Sequence, residues 1–185
     1  MINIEKIIKN KIFLSNGEVL SVNSDIKSMY NLREGMNIDG LYDEISYETS
    51  FIKALYLLGL KDRTKEELRI KLNEKIKNKQ AIERVVNKME ESGYINDGDY
   101  AVNYVKNSRY GLKRTEFELL KRGISKENIK KALLEVENNE YNKLEKAIEK
   151  VKNKDEHKII SYLLRQGFEL EDILDRLKDI KEEIV

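Results

Sequence analysis

The 185-residue chain contains no cysteine, no proline and no tryptophan. Without cysteine there are no disulfides, no thiolate nucleophile and no cysteine metal site, and a chain of this length can bury a core without such staples. Without proline, long helices meet no built-in break. A single histidine, His157, leaves a His-based triad or zinc site short of parts, and it is read as a surface residue. The glycine-rich Gly-x-x-x-x-Gly-Lys-Ser/Thr phosphate loop is missing. So is any run of about 18 apolar residues, and the N-terminal MINIEKIIKNKIFL lacks a signal-peptide pattern. The expectation is a cytoplasmic protein with no membrane span, no cofactor, no metal and no catalysis.

What remains is a helix-rich composition. Hydrophobic residues make up 40% and charged residues 37%, a charged share well above the usual quarter or so. The net charge is only +1, but it is unevenly laid out. Residues 61–88 carry ten basic against five acidic side chains, whereas residues 135–185 carry ten against fourteen. The middle is basic and the tail acidic, which bears on partners more than the mean does.

The first forty residues differ in texture from the rest. KIFLS and EVLSV are β-prone runs joined by Asn16-Gly17, a two-residue hairpin signal because both positions tolerate positive φ. SDIKSMYNLREG then predicts a short helix capped by Ser24 or Asp25 and closed near Gly35. From about Tyr42 the periodicity is helical. Aligned on Ile76, Gly123 and Gly167, three copies share a register. Four and eight residues before the pivot stand Leu72 and Leu68, Leu119 and Thr115, Leu163 and Ile159. Six, ten and thirteen after it stand Ile82, Val86 and Met89, then Ile129, Leu133 and Val136, then Ile173, Leu177 and Ile180.

Spacings of 47 and 44 residues between pivots predict a helical repeat array whose units bury their apolar faces against one another. Each unit holds three helices: 41–60, 64–75 and 79–92; 97–108, 113–122 and 125–137; 140–152, 155–166 and 169–181. Thr64 serves as N-cap with Glu67 at the capping-box position, Ser125 as a second N-cap, and Gly123 as a helix-closing glycine. The fold expected is mainly α. A small β-hairpin domain (1–40) precedes repeats at 41–95, 96–138 and 139–185. An array with capped ends can be monomeric.

Three motifs point to a family. They are the RT-x-x-EL-x-x-KL core at Arg63 to Leu72, the GYIND-x-x-YA junction at Gly93 to Ala101, and LLRQGF at Leu163 to Phe168. In this order and spacing they resemble RecX-family proteins, regulators of the RecA recombinase, and NGEVLSV and YNLREGM resemble the N-terminal extension of low-GC Gram-positive members. The sequence departs from the pattern at Ile76 and Lys77, where Gly and an apolar residue are usual, and at Thr115, which ends the Gly-x-x-x-Ile entry begun by Gly111. The resemblance implies three tandem three-helix repeats forming a curved body in the groove of the RecA filament on DNA. There it would suppress ATP hydrolysis, strand exchange and filament extension, modulating recombination and DNA repair.

The candidate contact residues are cations. Arg63, Lys65, Arg69 and Lys71 can meet acidic filament surface or phosphate. The two arginines suit bidentate pairing with carboxylate or phosphate. Arg109, Lys113, Arg114, Lys121 and Arg122 cluster around the middle helix of the second copy, with Tyr104 and Tyr110 beside them as secondary candidates for single-stranded nucleic acid. Arg165 holds the matching place in the third copy. The plain alternative for the charges is a solvated helix face, and for the tyrosines the wet edge of a core. Tyr94, Ile95, Asp97, Tyr100 and Ala101 are expected to pack and cap a repeat junction. Two rival functions stand beside filament binding: direct DNA binding through helix-turn-helix-like units, and an adaptor for some other partner.

Overall fold

A computed structural model of the protein describes residues 1–136 and 140–183. Among them lie three strands, β1 (Ile4–Ile8), β2 (Lys11–Leu14) and β3 (Val19–Ser21), and ten helices. These are α1 (Ser24–Met29), α2 (Tyr42–Leu60), α3 (Lys65–Asn73), α4 (Lys79–Glu91), α5 (Asp97–Asn107), α6 (Leu112–Lys121), α7 (Lys126–Glu135), α8 (Glu140–Glu149), α9 (Glu156–Gln166) and α10 (Leu170–Glu183). The chain divides into two compact units, 1–96 and 97–185. The expected helix end at Glu137 and the 138/139 boundary lie outside the described residues.

In the first unit the strands form an antiparallel sheet in the order β1-β2-β3. Alternate residues Ile12 and Leu14 of β2 point into the core with Ile4 and Leu20, as the two-residue strand period dictates. The β2–β3 hairpin forms, but Leu14 N–H donates to the Glu18 carbonyl, so the loop is Ser15-Asn16-Gly17. Only Gly17 takes positive φ, +75°; the Asn16 side chain instead accepts from Glu18 N–H at 3.0 Å. This is a three-residue loop rather than the two-residue turn the Asn-Gly pair suggests. The short helix α1 is capped by Asn23, whose Oδ1 accepts from Ile26 N–H at 2.9 Å, not by Ser24 or Asp25. It ends at Met29, well before Gly35.

The sheet shares one continuous core with α2, α3 and α4, built on Ile4, Ile12, Leu20, Ile45, Leu68, Leu72, Ile82 and Val86. A buried carboxylate joins the two parts. Glu18, only 2% exposed, accepts from Lys77 N–H at 2.6 Å and from the Tyr42 hydroxyl. Burial and the Glu18 carboxylate together push the Tyr42 phenol far above its ordinary range. The Thr64–Glu67 capping box forms in both directions at the start of α3. Ile76, at the pivot, is buried and does not take positive φ; α3 ends at Asn73 with Glu74 as its C-cap at φ −63°.

The second unit holds two three-helix groups. The core of α5, α6 and α7 comprises Ala101, Val105, Leu119, Ile124, Ile129 and Ala132; that of α8, α9 and α10 centres on Leu144, Ile148, Leu163, Phe168 and Ile173. Ser125 caps α7, and Gly123 follows α6 at φ +79°. Thr115, the polar departure, is fully buried, and its hydroxyl lies 2.9 Å from Ser108 Oγ. The hydroxyl thereby replaces a methyl contact without leaving an orphan polar atom.

Backbone meets backbone where α6 begins. Gly111 N–H donates to the Gln166 carbonyl at 2.9 Å. A Cβ on Gly111 would stand 2.6 Å from Phe168 N and closer still to the Gly167 carbonyl. Gly167 has φ +89°, and a Cβ there would stand 2.5 Å from Arg114 Cβ. Both glycines are therefore required by space, and Gly167 by conformation as well.

Candidate partner-binding site

The structure places the predicted cations in different settings. In the first unit, Arg69 donates to Glu83 through Nε and Nη2, at 2.6 and 3.0 Å, and also to Glu66. Those bonds hold its guanidinium above its ordinary range and, in the reverse direction, Arg69 holds the Glu83 carboxyl below the usual carboxylate range. Lys65 reaches Glu90 at 2.7 Å, and Lys71 reaches Glu74 at 2.6 Å. Arg63 differs: its Nε donates to the Leu57 carbonyl at 3.3 Å, and its guanidinium has no carboxylate partner among the described residues. The basic run in the sequence is thus largely paired at home.

In the second unit, residues 111–114 tie the two helix groups together. Glu140 accepts from Leu112 N–H at 2.9 Å, Lys113 pairs with Glu169 at 2.6 Å, and Arg114 donates to the Arg165 carbonyl at 3.0 Å. Burial pushes the Glu140 carboxyl up. Arg122 pairs with Glu118 at 2.8 Å and lies 4.8 Å from the Tyr104 ring centroid. Tyr104 also stacks on Tyr100 and packs against the core of α5–α7. Lys121 and Arg165 are exposed and have no carboxylate partner among the described residues.

Arg109 and Arg114 come together around Tyr110. Their guanidinium carbons lie 5.4 and 4.0 Å from its ring centroid. The Arg109 hydrogen bond, with the field of both arginines, lowers the Tyr110 phenol below its ordinary value. All three residues line a cleft of about 690 Å³, and on its other wall stand Lys143, Lys146 and Lys150 from α8 and its end; Lys106 of α5 completes the set. Among the described residues six cations line this cleft and no carboxylate does. Lys106, Lys143, Lys146 and Lys150 were not among the sequence candidates. Their signal was present: Lys143, Lys146 and Lys150 follow the i, i+3, i+7 spacing of one helix face, masked by the acidic net charge of the tail.

Other features carry no site. His157 stands exposed in the first turn of α9. Among the described residues no group of three or more His, Asp or Glu is placed to hold a metal, and no helix is long and apolar enough to cross a membrane.

The fold defines a mainly α protein of successive three-helix groups behind a small antiparallel sheet. No family model matches the sequence. The protein named Regulatory protein RecX of Caldanaerobacter subterraneus subsp. tengcongensis is 31% identical over 183 residues, spanning 91% of this chain and 92% of that one. The Clostridium acetobutylicum protein of the same name is 28% identical over 193 residues, with 93% and 90% covered. The crystal structure of RecX from Lactobacillus salivarius is 25% identical, with a TM-score of 0.60 over 74% of this chain and 97% of that chain. A second structure, titled as the crystal structure of regulatory protein RecX, matches at a TM-score of 0.60 over 95% of this chain and all of its own, at 19% identity, and so speaks to fold alone. The chain belongs to the RecX family of regulatory proteins.

Proposed function

We propose that the protein is a non-enzymatic cytoplasmic regulator that binds the RecA nucleoprotein filament and restrains its ATP hydrolysis, strand exchange and extension. Family membership over nearly the whole chain carries this reading. The repeats at 41–95, 96–138 and 139–185 serve as its contact units, with Arg63 of the first and the unpaired cations of the second and third as its charged contacts. Such a regulator works by binding one filament state more tightly than another, since equal affinity shifts no equilibrium. The test is DNA-dependent ATP hydrolysis by the cognate RecA, titrated with the intact protein. Inhibition well below the concentration of DNA sites supports filament binding. No inhibition at any ratio, with folded protein and active RecA, sinks it. Arg63→Ala is the cleaner probe of the first repeat, because Arg69→Ala also strips Glu83 and Glu66 of their partner.

The cation-lined cleft favours a second reading, direct DNA binding. Binding that persists without RecA and weakens steeply with salt would support it.

A further inference from the structure

The small sheet of the first unit ends in an open edge. Strand β3 pairs with β2 alone, in the register Lys11 to Ser21, Ile12 to Leu20 and Phe13 to Val19. Leu14 N–H donates to the Glu18 carbonyl and Val22 N–H to the Asn10 carbonyl. Hydrogen-bonded pairs alternate along an antiparallel ladder, so Leu20 turns its backbone groups toward Ile12. Val19 and Ser21 therefore turn theirs away from the sheet, and no described residue is hydrogen-bonded to them there.

A cleft of about 410 Å³ lies beside this edge. Ser21 stands on one side, and Ile52, Lys53 and Tyr56 of α2, with Lys75 and Ile76 beyond α3, form the rest. Its surface is mainly apolar, and Ile52 and Tyr56 are exposed. Its two cations form no ion pair among the described residues. The Lys53 ammonium lies 4.8 Å from the Tyr56 ring centroid, and Lys75 acts on Glu74 through its field alone, Glu74 being paired with Lys71 at 2.6 Å. Lysines that guard an edge against pairing stand on the edge itself; these stand on other elements. Ile76 and Lys77, where the sequence departs from the family pattern, both shape this corner. Ile76 lines the cleft, and Lys77 N–H donates to the Glu18 carboxylate, tying the β2–β3 hairpin to the turn after α3.

We propose that edge and cleft together dock an extended segment of a partner protein with the pattern acidic-x-apolar-x-acidic, added antiparallel to β3 as a fourth strand. In such recognition the free strand edge reads backbone, and pockets beside it read alternate side chains. Segment residues opposite Val19 and Ser21 make the backbone hydrogen bonds and point their side chains to solvent. The residue between them, opposite Leu20, faces the inner side, where Leu20 is buried in the core shared with α2, so its apolar side chain enters the cleft. Residues two positions to either side project on the same face, about 7 Å away, and carboxylates there meet Lys53 and Lys75. A free amphiphile would leave the strand edge unused. A second copy's β3 has its one inward side chain, Leu20, buried in its own core and would leave the cleft empty. The inference does not rest on the filament reading, since binding is measured with no RecA present.

The experiment uses the intact protein and a fluorescein-labelled peptide, Gly-Glu-Thr-Leu-Thr-Glu-Gly, read by anisotropy, with circular dichroism to establish that each variant is folded. Companion peptides carry N-methyl groups on both threonines, an N-methyl group on the leucine, or lysine in place of both glutamates. The parent peptide is expected to bind. Methylation of the threonines removes the bonding N–H groups and costs about tenfold or more, whereas methylation of the leucine, whose N–H faces away from β3, costs little. Lys53→Glu with Lys75→Glu loses about tenfold, while Lys6→Glu with Lys88→Glu, the same charge change on β1 and α4, loses far less. Should the cleft variant not fold, Lys53→Ala with Lys75→Ala takes its place. Equal binding by the two methylated peptides, equal losses in the two lysine variants, the lysine peptide binding as well as the parent, or no binding of the parent at millimolar concentration would each overturn the proposal. A concentration-dependent dimer that the peptide disperses would assign the edge to a second copy and overturn it too.

Discussion

Gly111→Ala is the substitution whose cost the structure defines best. Gly111 has φ −65° and ψ 166°, a conformation open to any residue, so only space demands glycine there. A methyl group would stand 2.6 Å from Phe168 N, and the obstacle is backbone, which cannot swing aside as a side chain can. Either the start of α6 or the end of α9 must shift. Over-packing of this kind costs about 1–3 kcal/mol, and loss of the hydrogen bond from Gly111 N–H to the Gln166 carbonyl adds about 1 kcal/mol. A loss of roughly 2–4 kcal/mol from a unit the size of 97–185 lowers its melting temperature by about 10 °C or more. Thermal melting by circular dichroism reads this, with hydrogen exchange in α6 and α9 to localise it. The control has the opposite sign: Gly59 lies in α2 with nothing within 4 Å of its would-be Cβ, so Gly59→Ala stabilises the first unit by up to about 1 kcal/mol. Gly167→Ala, strained in φ as well, should cost more than Gly111→Ala. A Gly111→Ala protein as stable as the wild type would refute the close approach itself.

Three further outcomes can be checked by the same melting assay. Glu18→Ala leaves Lys77 N–H and the Tyr42 hydroxyl without their buried acceptor, and should destabilise the first unit by roughly 1–3 kcal/mol; an unchanged midpoint would show that water replaces the carboxylate. Thr64→Ala removes the capping-box acceptor of α3 and should cost about 0.5–2 kcal/mol, whereas Thr64→Ser should cost little. Arg69 holds Glu83 below the usual carboxylate range, so that pair contributes stability above the unfolded carboxyl pKa and loses it as pH falls through the lowered folded value. Arg69→Met should therefore flatten the loss of stability on acidification below about pH 4.3; identical acid profiles for the two proteins would contradict the pairing.

The parts of this molecule that were legible in its sequence are those with local causes. Apolar spacing placed α2 to α10 within a residue or so at most of their described ends, and Thr64 with Glu67 announced a capping box that forms. Strand β1 was missed because IEKII mixes charge with isoleucine and its turn to β2 runs through Lys9, at φ +51°, with no glycine to mark it. The α1 cap fell to Asn23 because three polar residues in a row each fit the role, and backbone geometry chose among them. Charge was the least legible property. Arg69 finds Glu83 fourteen residues away, and Lys113 finds Glu169 fifty-six away; no window along the chain registers such pairs.

That difficulty explains why the most basic stretch of sequence does not make the most basic surface. Lys65, Arg69 and Lys71 sit in a segment with excess positive charge, yet each is answered by a carboxylate within 2.7 Å or closer. Lys143, Lys146 and Lys150 sit in a segment with excess negative charge, yet none forms an ion pair among the described residues, although Lys143 donates to the Val105 carbonyl and its field acts on the Glu140 carboxyl. The helical period separates them from their neighbours, since the acidic residues of the third helix group gather elsewhere, Asp172, Asp175 and Asp179 of α10 lining a different cleft. An ion pair within the fold screens its charge from a partner and fixes two side chains, so it contributes position more than attraction. An unpaired cation in a concavity contributes attraction, and its field reaches a ligand before contact. Net charge along the chain averages over both kinds, whereas the partner meets only the second.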